Sequence, residues 1–259
     1  MPYGQTMTID ISKMSRAERI LWDHGVTKAE HIDLDAIASR HGANVVYRPL
    51  GGCEARLVAY GDSAVISVSS ASIEGRQRFS LGHELAHWLC DRGRGFLCAK
   101  EDIGPQNAEA RNVEASANAF ASQLILPSYL VDSWIGSQAI TLGLAANLAK
   151  DFNTSLTAAA IKLVRRASGQ SSVMCHNQSR LLWRERSLKF PFDYSIVGQL
   201  HQDTDAFEIA FTKKAGMSRP KKESADRWVR GQNTYRLTVQ SQSVKLPDDN
   251  VLSLITFLE

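Results

Sequence analysis

The stretch His83-Glu84-Leu85-Ala86-His87 constrains this chain more than any other. On an α-helix, positions i and i+4 share a face, so both imidazoles can reach a single metal ion. Neutral imidazole is a natural ligand for Zn²⁺. Glu84 stands beside that face, where its carboxylate can handle a proton of an attacking water. The surrounding residues read as the required helix. Between Arg76 and Cys90, apolar Phe79, Leu81, Leu85, Ala86, Trp88 and Leu89 dominate, as in a central, buried helix. Five matching residues also arise by chance, and buried helical histidines without metal are the alternative.

A catalytic zinc site needs a third protein ligand and an open position. A loop over 91–106, with three glycines and one proline, leads to a second helix from about Ala108 to Leu126, which Pro127 ends. Glu114 is its best candidate ligand. Ala115, Ala117, Ala119 and Ala121 would let it approach the first helix closely. Glu109 competes with Glu114, although an acidic residue near a helix start also suits the helix dipole. Cys98 lies in the loop between the two helices, and its thiolate could fill the fourth position and hold the site latent. Cys90, one turn after His87, is a weaker candidate for that role. Tyr60, Arg78 and Arg111 are candidate donors to an oxyanion.

Around this centre the chain alternates helical and extended patterns. Arg16–Trp22 and Asp33–His41 read as helices, with Asp33 as N-cap and Gly42 as stop. Short strands follow at 44–47, 55–60 and 64–68, the last two joined through Gly61-Asp62 as a hairpin turn. The 64–68 strand is expected to be an exposed edge onto which a peptide substrate could add. Helices are expected at 128–135, 142–152 and 155–166, and residues 142–166 resemble a helix-turn-helix. After the Ser-rich stretch at 167–172 the pattern turns strand-like, at 181–186, 206–212, 235–240 and 251–258. This places a domain boundary near residue 170, between a domain over 1–170 and a β-rich one over 171–259.

The chain has 259 residues, 44% hydrophobic and 22% charged, enough for one large domain or two modest ones. No apolar run approaches the ~18 residues of a membrane span, and the first residues lack a secretory pattern. The four cysteines are too sparse for a disulfide framework. A cytoplasmic protein with reduced thiols and no membrane partner is expected.

Charge is unevenly shared. Residues 1–150 hold 14 Lys and Arg against 16 Asp and Glu, whereas residues 151–259 hold 16 against 11. Basic side chains cluster at 162–189, around Trp183, and at 213–230, where Lys213, Lys214, Lys221, Lys222 and Arg227 surround Trp228. Cations with interleaved aromatics suit single-stranded nucleic acid, so a single-stranded DNA activator is expected to bind here. A solvated basic strand face is the plainer alternative.

Two motifs in order give a resemblance. Arg78-Phe79-Ser80-Leu81-Gly82-His83-Glu84-Leu85-Ala86-His87-Trp88-Leu89 resembles the active helix of the ImmA/IrrE family of metallopeptidases. Glu114-Ala115-Ser116-Ala117-Asn118-Ala119-Phe120-Ala121, followed by Leu124-Ile125-Leu126-Pro127, is similar to that family's second motif. Gly82 and Ala86 replace the common alanine and glycine. The likeness spans roughly 15–165. It implies an α+β fold: a zincin-like metallopeptidase domain with a small antiparallel sheet and the H-E-x-x-H helix, helix-turn-helix-like helices, and a β-rich C-terminal domain where relatives carry a sensor of the GAF type. It implies one Zn²⁺ held by His83, His87 and Glu114, with Glu84 as catalytic acid and base. It further implies an endopeptidase that cuts a helix-turn-helix repressor to release a stress, mobile-element or anti-phage operon, as in the CapP-type members. A DNA-binding regulator or toxin-like partner with a vestigial zinc site is the competing expectation.

Overall fold

The computed structural model describes residues 10–91, 108–212 and 216–258. By packing, the chain divides into one unit of Met1–Gly136 with Lys150–Ser155, and a second of Ser137–Ala149 with Leu156–Glu259.

The first unit starts with helix α1 (Arg16–Asp23), opened by a reciprocal capping box between Ser15 and Glu18. Glu18 is buried and also accepts from the Ser128 backbone amide, so one carboxylate caps two helices. Helix α2 (Leu34–Arg40) has Asp33 as its N-cap, accepting from Ala36 N at 2.9 Å. Gly42 then turns the chain at φ 79°, where a Cβ would sit 2.8 Å from the Asp62 carbonyl oxygen, so only glycine fits.

Three strands follow: β1 (Ala43–Arg48), β2 (Ala55–Tyr60) and β3 (Ser63–Ser69). Strands β2 and β3 form the expected hairpin around Gly61-Asp62, with Tyr60 opposite Ser63. The sheet order is β1-β3-β2, and β1 runs parallel to β3, so the sheet is mixed and not purely antiparallel. This corrects the expectation of an exposed edge at 64–68. Strand β3 is paired on both sides, and among the described residues the edges are β1 and β2. The burial patterns agree: β3 ends in four buried residues, whereas the ends of β1 and β2 are exposed.

Helix α3 (Glu74–Cys90) packs on β2, β3 and the next helix, α4 (Ala108–Ile125). Small residues set the approach. A Cβ placed on Gly82 would lie 3.4 Å from Ala121 Cα, and Ala117 and Ala121 are buried. Pro127 ends α4 and caps α5 (Ser128–Ile135).

The second unit contains most of α6 (Leu142–Asp151) and all of α7 (Leu156–Arg166). The Gln242 side-chain oxygen accepts from the amides of Leu142 and Gly143 and so caps α6. Five strands make its sheet: β4 (Ser171–His176), β5 (Leu181–Arg186), β7 (Lys221–Ser224), β9 (Thr238–Lys245) and β10 (Val251–Phe257), in the order β5-β4-β10-β9-β7, with antiparallel neighbours. A short pair, β6 (Ser195–Ile196) and β8 (Val229–Arg230), stands apart. The fold is thus α+β, as expected, with a β-rich second half. The 206–212 segment is a helix, α8 (Asp205–Phe211), and not a strand. Thr204 caps it, and Ala206, Ile209 and Ala210 bury one helical stripe. Three-and-four spacing, not alternation, is the period these residues obey. The core of this unit gathers Met174, Ile209, Trp228, Val239, Val251 and Ile255.

Candidate metal centre

Helix α3 presents His83 and His87 one turn apart, and α4 brings Glu114 against them. The two Nε2 atoms are 3.1 Å from each other. Glu114 Oε2 lies 3.2 Å from His83 Nε2, and its Oε1 lies 3.5 Å from His87 Nε2. Among the described residues this is the one group of three or more potential ligands that could hold a metal ion. Each Nδ1 faces its own partner: His87 Nδ1 is 3.1 Å from Asp91 Oδ2, and His83 Nδ1 is 3.0 Å from Asn118 Oδ1. These contacts assign Nδ1–H as donor in both rings and leave both Nε2 lone pairs aimed at Glu114.

Glu84 is 4% exposed, and its Oε2 has no hydrogen-bond partner among the described residues. Burial pushes its carboxyl up to about 7; the nearby His87 opposes the rise, Glu114 adds to it, and the Leu57 backbone amide opposes it. Burial, reinforced by His87, also lowers the His83 pKa, which favours the neutral ring a metal requires. Two imidazoles, one carboxylate and an orphaned buried carboxylate oxygen beside them fit a zinc ion with a free position.

Cys98 and the side chains of Glu109 and Arg111 lie outside the described residues. Cys90 is exposed and is not in the ligand group. Tyr60 sits at the hairpin tip, 91% exposed. Arg78 points to the α2 side of α3, where it donates to the Ile32 carbonyl at 3.4 Å and lines a cavity of about 360 Å³ with Tyr47, Asp35 and Leu34. Five residues before His83, it stands about 140° away around the helix, and so is turned from the metal ligands.

The basic and aromatic cluster is largely taken apart by packing. Lys213 and Lys214 lie outside the described residues. Trp228 is 1% exposed, and its Nε1 donates to Glu223 at 2.8 Å, so the ring is in the core and cannot stack on bases. Arg227 is tied to Glu223 at 3.2 Å and lies 3.7 Å from Asp203. Lys221 pairs with Asp205 at 3.6 Å, and Lys222 is exposed on β7. The expected stacking role of Trp228 is therefore corrected: an indole inside a basic stretch of sequence can still be a core side chain.

Asp91 and Asn118 were missed in the sequence, although a signal existed. Each stands one helical turn after a proposed ligand, Asp91 after His87 and Asn118 after Glu114.

Residues 38–164 match the family model Peptidase_M78, the IrrE N-terminal-like domain. This segment belongs to the ImmA/IrrE family. The matched segment runs from the end of α2 into α7 and therefore includes both motifs of the metal centre. No curated protein matches the chain. A solved structure described as a Mycobacterium tuberculosis transcriptional regulator is similar in fold, with a TM-score of 0.62 and 14% identity over 93% of this chain and 75% of that one.

Proposed function

We propose that this protein is a zinc-dependent endopeptidase that cuts a helix-turn-helix transcriptional repressor and thereby releases an operon for stress response, a mobile element or anti-phage defence. The observation that carries the catalytic part is the unpartnered Oε2 of buried Glu84 beside the convergent His83, His87 and Glu114. Zinc, when bound there, supplies Lewis acidity toward the scissile carbonyl and makes water acidic enough to react near neutral pH. Glu84 accepts the proton of the attacking water and delivers it to the leaving amine.

Substrate is expected at β2. Among the described residues it is the free edge next to α3, and the Leu57 amide reaches toward Glu84. In a two-residue hairpin with Tyr60 opposite Ser63, the Leu57–Ile66 pair is one that does not exchange ladder bonds. The C=O of Leu57 therefore points off the edge, where an extended peptide can pair with it. The likeness to a protein described as a transcriptional regulator supports a regulatory target.

The test is metal analysis combined with cleavage of a co-encoded helix-turn-helix repressor. About one zinc per chain is expected, and His83→Ala should lose it. Glu84→Gln should keep the zinc and slow cleavage by about 10²- to 10⁴-fold. Cleavage by Glu84→Gln at the wild-type rate would sink the reading.

A further inference from the structure

Asp91 and Asn118 occupy places that local helix energetics disfavours. Asp91 is the C-cap of α3, and a carboxylate there meets the negative end of the helix dipole. Asn118 lies inside α4, where asparagine is among the weaker helix formers. Two such departures, each in contact with a different ring of the same ligand pair, point to a task beyond folding. The contacts are complementary. His87 is buried and faces a carboxylate on its own helix, 3.1 Å away and only 15% exposed in its side chain. His83 faces a neutral amide on the helix that also carries Glu114, 3.0 Å away.

We propose that Asp91 and Asn118 are the positioning residues of the metal centre. Each accepts Nδ1–H from one ligand histidine, fixes that ring's tautomer and rotation, and keeps Nε2 turned to the metal. Asp91 also sets a carboxylate 3.1 Å behind His87, where its charge favours the positive charge that a bound zinc would place on the ring. Asn118 does a second thing: it ties α4 to α3 one turn beyond Glu114, so that all three ligand groups are assembled before the metal arrives. The proposal rests on the zinc-site reading above.

The test measures zinc affinity of the metal-free protein by competition with a chromophoric chelator, with circular dichroism to follow the fold. Wild type is measured first; if it holds no zinc, the zinc-site reading fails by itself. Given wild-type binding, Asp91→Ala and Asn118→Leu should each weaken zinc about 10- to 100-fold, the buried Asp91 contact costing more. The near-isosteric swaps decide the matter even if those variants fold poorly. Asp91→Asn removes charge behind His87 and should weaken zinc. Asn118→Asp keeps the acceptor and adds charge, and should hold zinc as tightly as wild type or more so. A purely structural role would not move affinity in opposite senses at unchanged fold. Zinc affinity unchanged in Asp91→Asn, or lowered in Asn118→Asp, overturns the proposal.

Discussion

At the scale of single residues, Glu84 links burial to proton chemistry. Its carboxyl is raised from 4.5 to about 7, chiefly because burial penalises the anion. Between those two values the folded protein holds a proton that the unfolded chain has released. Stability from this group is therefore fully present below about 4.5, falls as pH rises, and is gone above about 7. His83 works in the opposite sense, since burial lowers its pKa and acid protonates the unfolded chain first. Comparison with a Glu84→Gln variant isolates the first effect. In metal-free protein, Glu84→Gln should show a higher melting temperature than wild type at pH 8 and a smaller difference at pH 5. Parallel melting curves across that range would mean that burial does not set the carboxyl's behaviour.

At the scale of elements, the centre depends on how closely α3 and α4 approach. Gly82 and Ala121 are the contact, at 3.4 Å for a Cβ on Gly82, an ordinary van der Waals distance. Gly82→Ala should therefore be tolerated, and even stabilising by up to ~1 kcal/mol, since glycine inside a helix costs about that much. Gly82→Leu should drive the helices apart, destabilise by about 1–3 kcal/mol, and lower zinc occupancy by moving Glu114 away from His83. Thermal melting and metal content of the two variants check this. If Gly82→Leu kept full zinc, the position of α4 would not control the third ligand. Strand β3 is filled on both sides, by β1 in parallel and by its hairpin partner β2.

At the scale of the whole molecule, each unit has its own core, and charge must be judged against that packing. Trp228 anchors the second unit through Glu223, which also accepts from the Ser241 hydroxyl. Trp228→Ala should cost about 3–5 kcal/mol, as for other buried aromatics, and should be read by denaturant unfolding. Any loss of nucleic-acid binding in it would follow unfolding. Lys222→Glu, on an exposed strand position, should leave the fold intact and so tests the single-stranded DNA activator expected from sequence. If such DNA binds through this face, that variant should weaken binding and flatten its salt dependence by about one phosphate contact. Unaltered binding removes this face from consideration. Among the described residues no helix is long and apolar enough to cross a membrane.

What could be read from sequence was whatever depends on near neighbours in the chain. The i and i+4 imidazoles, the Asp33 cap, the Gly61-Asp62 turn and the run of small residues in α4 are written in spacings of two to four positions, which fixed helix and hairpin geometry converts directly into shape. Glu114 was one of two acidic candidates on its helix, and it is the packing of α4 on α3 that brings it against the imidazoles. Tertiary structure alone decided the rest. Which strand becomes central depends on β1 arriving beside β3, a pairing with no local signature. The 206–212 segment became a helix because its apolar residues found a helical stripe to bury against the sheet, an outcome that short apolar runs leave open. Trp228 went inside because Glu223 and the sheet offered its N–H a partner and its ring a dry wall, and a basic sequence context carries no record of that. The Asn118 contact forms only when α4 folds back onto α3, so hydrogen-bond partners far apart in the chain had to wait for the packing that joins them.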